Sequence, residues 1–309
     1  MLINRLDFHI SYICLNRCIF CSERNRLARF SGINLSPEEI KKVLLEKRKK
    51  GFEYVTFTGG EPTLSGNLPF ALKLAKLLGY RTCATTNGYG FSDDEYCQKI
   101  LHYCDELMIS VHGPCAETHD NLTGRKGSFE IFQKAMRNIY KETSKPGGHK
   151  LFLMTNTVLT QSNAAGIAEM YGMLAEMPQV RQCLLSYPAP EGGAYRMYAA
   201  LSLPQDHAAA VAENAAKIIT AAGKTMRFFG FPACRLGKYA EYSNDFYWSP
   251  RLTVERGIVN GIAALRETVS ERPVRRRHYE KECHSCRHYG KCGGFFDIPE
   301  NSSGKKGKN

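Results

Sequence analysis

The chain has 309 residues, 43% of them hydrophobic, with 42 Lys and Arg against 30 Asp and Glu and with 12 cysteines. That length suits one large α/β domain, or one domain with a small appendage, and no apolar run is long enough to span a membrane. The N-terminus enters a strand-like stretch without signal-peptide segments, which points to the cytoplasm, where cysteines read as metal ligands or buried thiols rather than disulfides.

Strand and helix signals alternate over the first two-thirds of the chain. A strand over 7–13 ends at a cysteine-bearing loop. Ser36, Pro37 and Glu39 predict a capped helix start. Strands follow at 52–58, 82–86, 106–111, 151–159 and 180–186, with helices at 68–78, 92–103, 128–141, 163–175 and 203–222 between and after them. Strands separated by helices are parallel and joined by crossovers. Six such units form a closed or partly open barrel over residues 1–225. Beyond it, 227–232 is short and apolar, 254–269 reads as a helix, and 273–296 is dense in Cys, His, Arg and Gly. Residues 226–296 are thus expected to be a small irregular extension held by a metal centre, and 297–309 a disordered basic tail. The cations at 47–50, 275–277 and Lys305, Lys306 and Lys308 read as solvated helix ends and tail, or as a docking surface for an acidic partner. No nucleic-acid motif accompanies them.

Cys14, Cys18 and Cys21 carry the most chemistry. In the pattern C-x3-C-x2-C, three thiolates can hold three irons of a [4Fe–4S] cube and leave the fourth open. They follow a strand, so they sit at the edge where parallel α/β barrels carry active sites. Zinc would want a fourth ligand, and neither His nor Cys occurs in the next 50 residues. With Phe20 before the last cysteine, residues 14–21 resemble the signature of radical S-adenosylmethionine (radical SAM) enzymes. The resemblance extends over most of 7–235. It implies a partial (β/α)6 TIM-like barrel in which the open iron chelates the amino and carboxylate groups of S-adenosylmethionine. An electron, from a donor such as flavodoxin or ferredoxin, then cleaves the sulfonium, and the 5′-deoxyadenosyl radical removes a hydrogen atom from substrate.

Further motifs end successive strands. Gly59, Gly60, Glu61 and Pro62 match the family's GGEP-type motif, which binds the cofactor's amino group; glycines permit close backbone approach and a carboxylate accepts from a cationic amine. Thr86 and Asn87 are candidates for the ribose hydroxyls or the carboxylate, against a plain turn. Ser110 resembles a family position that bonds the nucleoside or carboxylate. His112 is a candidate substrate contact or acid/base, against a structural histidine. Cys115 is a candidate hydrogen-atom donor, Arg125 a candidate carboxylate contact, and Asn156 resembles an asparagine that faces the cofactor.

Near the C-terminus, Cys283, Cys286 and Cys292, with Cys234 earlier, can fully ligate a second [4Fe–4S] cube or a zinc ion. The region resembles the SPASM and twitch extensions of radical SAM enzymes. Phe295, Phe296 and Asp297 stand where a full SPASM region has a further cysteine, so one auxiliary cluster is expected. His284 and His288 could replace a cysteine ligand, but are read first as neighbours of that centre or as exposed. Cys83, Cys97, Cys104 and Cys183 are read as buried apolar residues. The expected enzyme acts on a peptide or small molecule, with 187–193 lining the substrate side. Nothing precedes the barrel, so no leader-binding or cobalamin domain is expected. Alternatives are a radical SAM methyltransferase or epimerase, or, in another class, a zinc-stapled basic nucleic-acid-binding protein. The latter leaves the first cysteine triplet and Gly59–Pro62 unexplained.

Overall fold

The computed structural model describes residues 3–272 and 276–297. In chain order the elements are β1 (Arg5–Ser11), α1 (Arg24–Arg29), α2 (Pro37–Lys49), β2 (Tyr54–Gly59), α3 (Leu68–Leu77), β3 (Arg81–Thr86), α4 (Asp94–Leu101), β4 (Glu106–Ser110), α5 (Ala116–Thr123), α6 (Ser128–Thr143), β5 (Phe152–Val158), α7 (Ile167–Glu176), β6 (Val180–Ser186), α8 (Gly192–Leu201), α9 (Gln205–Ala221), β7 (Thr225–Phe229), β8 (Arg251–Val259), β9 (Ile262–Ser270), β10 (Arg277–His278) and β11 (Phe295–Phe296). One nine-stranded sheet runs β7-β6-β5-β4-β3-β2-β1-β8-β9. Every pairing in it is parallel except the antiparallel β8–β9 hairpin.

Each strand has two unlike faces. Leu6, Phe8, Ile10, Val55, Phe57, Ala84, Leu107 and Ile109 are fully buried in the main core. The alternate residues Asp7, Thr56, Thr58, Cys83, Thr85, Met108 and Ser110 are only partly covered. Strands buried on both sides would read as continuous apolar runs. Alternation in parallel strands therefore means that the second face lines a polar chamber. The expected partial barrel is the architecture found: an open, mostly parallel α/β sheet of nine strands rather than six.

The structure corrects the sequence reading at several points. Residues 254–269 are the β8–β9 hairpin, not a helix. Its turn is Asn260–Gly261, with φ 51° and 79°, the two-residue Asn-Gly signal that favours hairpins. The sheet thus continues past residue 225 on both sides: β7 extends β6, and β8 lies beside β1. The short helices α1, α5 and α8 were not expected. Lys47 is no solvated helix end. It is 1% exposed and pairs with Glu46 and with Glu267 on β9, tying α2 to the hairpin. Within 275–277, Arg277 is buried against Asp245. Arg275, the lysines of the tail and residues 298–309 lie outside the described residues.

Phe57, with no exposed surface, packs 6.3 Å from Phe8 between rings. Phe57→Ala is expected to cost about 3–5 kcal/mol, read as a fall in the denaturant midpoint. A loss under about 1 kcal/mol would contradict this account of the core.

Candidate active site

The site is built on a ladder that outlasts the strands. Gly60 N–H donates to Ser11 O and Glu61 N–H to Ile13 O, both at 2.8 Å, so β1 and β2 stay paired up to Cys14. Gly59 has φ +124°, and an added Cβ would lie 2.3 Å from Ser11 O; at Gly60 it would lie 2.4 Å from Ile13 O. The close approach that these glycines permit is between two backbones of this chain.

Glu61 is 1% exposed. Its carboxylate accepts from Thr63 N–H at 3.0 Å, Thr63 Oγ1 at 2.7 Å, Thr86 Oγ1 at 2.7 Å and Asn87 N–H at 2.7 Å. Burial pushes its pKa up, and those donors oppose the shift. The sequence offered this carboxylate to a cationic amine; here it clamps the end of β3 to the end of β2. Thr86 is likewise committed, donating to Glu61 and accepting from Gly88 N–H at 2.9 Å, and Pro62 is buried in the turn that follows Glu61. Asn87 is placed differently: its Nδ2 lies 3.8 Å from Cys14 Sγ.

Three elements hold the cysteine loop. Arg17 N–H and Ile19 N–H donate to Thr123 O and Leu122 O on α5, at 2.7 and 3.1 Å. Gly193 N–H, on the first turn of α8, donates to Cys21 O at 2.8 Å. The Arg24 guanidinium donates to Arg17 O and Cys18 O at 3.2 Å. Two of the helices that sequence patterning does not predict, α5 and α8, are thus supports of the loop. Cys14, Cys18 and Cys21 are half-buried and unpaired. Burial pushes Cys14 to about 11 and Cys18 to about 12, and Cys21 upward. Neighbouring thiolates reinforce the shifts at Cys14 and Cys18; Arg125 opposes at Cys14, and Arg24 at Cys18 and Cys21. Three soft donors on one loop, with Arg24 and Arg125 beside them, fit a cluster with three thiolate ligands.

The other candidates divide. Ser110, at the end of β4, and Asn156, within β5, are register partners, and Asn156 Oδ1 accepts from Ser186 Oγ at 2.9 Å. Arg125 lies 5.2 Å over the Tyr89 ring. Cys115 is exposed, 3.7 Å from Thr118 Oγ1. His112 is 3% exposed, and burial pulls its pKa well below the usual value. Its Nδ1 accepts from Val158 N–H at 3.3 Å, and its ring lies edge-on to Phe20 at 4.7 Å. It packs as a buried side chain beneath the cysteine loop, where desolvation disfavours its charged form.

The chamber face carries residues that the sequence reading did not single out. His9, Glu23 and Glu255 bring donor atoms within 4.8 Å of one another. Arg26 and Arg266 already neutralise the two carboxylates, so the group reads as a salt network joining the cysteine loop to the hairpin rather than as a cation site. It borders a cavity of about 850 Å³ that also takes in Asp7, Thr58, Glu191 and Thr253. Alternation of Asp7 and His9 with apolar residues along β1 was the available signal. Glu191 and Gly192 line open space beside the loop.

Cys234, Cys283, Cys286 and Cys292 line one small pocket with Tyr279, His288, Tyr289 and Phe295. Backbone N–H groups point at its sulfurs: Ala233 and Gly294 at Cys292 Sγ, 3.4 and 3.3 Å, and His288 at Cys286 Sγ, 3.5 Å. Such donors suit thiolates that carry charge in a cluster. His288 packs against Phe246 and His284 against Tyr289. Of the remaining thiols, Cys97, Cys104 and Cys183 are buried, as expected, whereas Cys83 is half-buried on the chamber face.

Two outcomes are expected. Gly60→Ala must push Ile13 and hence Cys14 aside, so about four irons per chain should be lost after reconstitution; full iron content would contradict the ladder's role. His119, 2% exposed, accepts from His112 N–H at 3.1 Å, and burial pulls its pKa from 6.5 to about 4. Below its ordinary pKa the unfolded chain binds the proton first. Its contribution is therefore complete above pH 6.5 and falls away toward pH 4, by about 3 kcal/mol. His119→Gln should flatten that part of the stability profile; an unchanged profile would contradict the assignment.

Comparison with known proteins agrees with this geometry. Residues 8–171 match the family described as the radical SAM superfamily. Over 170 residues the chain is 29% identical to an S-adenosylmethionine-dependent nucleotide dehydratase of Flammeovirga pacifica, covering 52% of this chain and 56% of that protein. Over 221 residues it is 25% identical to an Fe-coproporphyrin III synthase of Methanosarcina barkeri, covering 71% of this chain and 51% of that protein. The chain spans about half the length of these curated relatives. In fold it is similar to Streptococcus suis SuiB bound to S-adenosylmethionine, with TM-score 0.59 and 17% identity over 82% of this chain and 58% of that one. With half-buried thiols at 14, 18 and 21 on the edge of a parallel sheet, and with the family match spanning them, the chain belongs to the radical SAM superfamily of enzymes.

Proposed function

We propose that the chain reductively cleaves S-adenosylmethionine at a [4Fe–4S] cluster held by Cys14, Cys18 and Cys21, and modifies a C–H position of a polar substrate, a small molecule or one residue of a peptide. The observation that carries the reading is the cysteine loop itself. It is fixed by α5, α8 and the Gly60–Glu61 ladder at the mouth of a polar chamber. When bound, the cluster and its nucleotide supply one-electron cleavage and a 5′-deoxyadenosyl radical able to take hydrogen from carbon.

The chain's own residues place and shield. Asn87, beside Cys14, and the Ser110–Asn156 pair offer hydrogen bonds toward the nucleotide, and Arg125 offers a cation beside Cys14. Gly59, Gly60, Glu61, Pro62 and Thr86 act by fixing the strand ends. Cys115, exposed at the start of α5, is retained as a candidate hydrogen-atom donor. The chamber's paired charges and hydroxyls favour a polar substrate over an apolar one. The relative named as a nucleotide dehydratase supports a small polar molecule. SuiB, described with its precursor peptide, is similar in fold only.

We further read Cys234, Cys283, Cys286 and Cys292 as ligands of one auxiliary [4Fe–4S] cluster. Backbone N–H groups directed at Cys286 and Cys292 support that reading, and zinc is the alternative that iron analysis distinguishes. A flavodoxin- or ferredoxin-type donor would supply the electron, consistent with an excess of 12 positive charges on the chain.

Anaerobically reconstituted protein should hold about eight irons per chain. With dithionite it should form 5′-deoxyadenosine without S-adenosylhomocysteine. Cys14→Ala, Cys18→Ala and Cys21→Ala should each abolish that product, whereas Cys283→Ala should remove about four irons. Cleavage surviving any of the first three substitutions would overturn the assignment. S-adenosylhomocysteine as the main product would favour methyl transfer.

A further inference from the structure

We propose that a buried ion pair, Asp245–Arg277, positions the ligand loop of the four-cysteine centre and sets its reduction potential. This goes beyond the ligand assignment and rests on the reading of that centre as iron–sulfur. Both side chains have no exposed surface, and Arg277 Nη1 donates to Asp245 Oδ2 at 2.7 Å. The same carboxylate oxygen accepts from Gly293 N–H at 2.7 Å. Gly293 lies between Cys292 and Gly294, whose N–H points at Cys292 Sγ. The ion pair therefore holds the peptide that directly follows a ligand. The fit is tight: a Cβ on Gly293 would stand 2.0 Å from Arg277 Nη1. The guanidinium lies 4.6 Å from the Phe296 ring and 5.4 Å from Phe229 on β7, so the arrangement is anchored to the main sheet.

Stability alone gives no reason for this pair. Asp245 Oδ1 and Arg277 Nε and Nη2 are buried without a hydrogen-bond partner. A desolvated pair with unsatisfied atoms is commonly no better than apolar residues of the same size. What it does supply is two fixed unit charges beside a thiolate ligand, in a place that salt does not screen. A cluster gains negative charge when it takes an electron. The guanidinium therefore favours the reduced state and the carboxylate the oxidised state, and the balance between them sets the poise.

The test is a dithionite titration of the reconstituted full chain, one electron passing from the titrant to the centre, followed by EPR, with iron counted for every variant. Asp245→Asn leaves the guanidinium unbalanced and should make the auxiliary centre easier to reduce. Arg277→Met leaves the carboxylate unbalanced and should make it harder. Each shift is expected to be at least about tenfold in the reduction equilibrium, or about 59 mV for a one-electron couple. It should persist at high salt, and Arg277→Lys should stay close to the unsubstituted protein. The double variant Asp245→Asn/Arg277→Met should retain iron and return toward the original potential. Should a single variant lose the auxiliary iron, its retention in the double variant supports the charge argument. Shifts of the same sign, no shift, or loss of the auxiliary iron in the double variant would overturn the proposal. About four irons in the unsubstituted protein would instead defeat the iron–sulfur reading beneath it.

Discussion

The site depends on one backbone ladder. Two N–H groups, of Gly60 and Glu61, reach across to the carbonyls of Ser11 and Ile13 and carry strand pairing beyond the strands to the first cysteine. The contact exists only because residues 59 and 60 lack a Cβ. The Glu61 carboxylate then gathers Thr63, Thr86 and Asn87, so the ends of β2 and β3 are locked behind Cys14. A loop carrying three thiols must hold them in place before any metal arrives, since thiols raised by burial have to surrender protons to the incoming ion. Rigid neighbours reduce what that ordering costs. The remaining supports, α5 and α8, grip the same loop from outside through Thr123, Leu122 and Gly193.

The sheet serves the loop in a second way. Its helix-facing side is a conventional apolar core, but its other side presents Asp7, His9 and Thr58 to a chamber below the cysteines. The hairpin β8–β9 walls that chamber beside β1. Arg26 and Arg266 converge on Glu255, and Tyr12 accepts from Arg256 N–H, so the C-terminal strands are bonded to the segment that carries the cysteines. The two cysteine groups are thus parts of one structure: β7 and the hairpin, which lead to the second group, belong to the same sheet as β1.

Much of this was legible in the residues. Alternating strand and helix signals gave the parallel sheet, and the spacing of Cys14, Cys18 and Cys21 placed the site at its edge. The misses have physical causes. The segment 254–269 mixes charges and apolar residues in a way that suits either period, and the Asn260–Gly261 turn is what decides between them. Helix α1 buries no residue, α5 is mostly polar and α8 opens on two glycines, so none of them shows a clear apolar period. Burial of Lys47 and Arg277 could not be read locally, because their partners Glu267 and Asp245 lie far along the chain. The surroundings of Glu61 and His112 were hidden for a related reason. A residue at a strand end is equally able to face a ligand or to hold its neighbours, and only the hydrogen-bond partners distinguish the two.

The most direct test of the central claim is EPR spectroscopy of the reduced, oxygen-free protein in which Cys283→Ala has removed the second centre. If Cys14, Cys18 and Cys21 hold a cluster with one open iron, a [4Fe–4S] signal will remain and will shift when S-adenosylmethionine is added. A protein with no such signal, or one whose signal is indifferent to the nucleotide, would contradict the account.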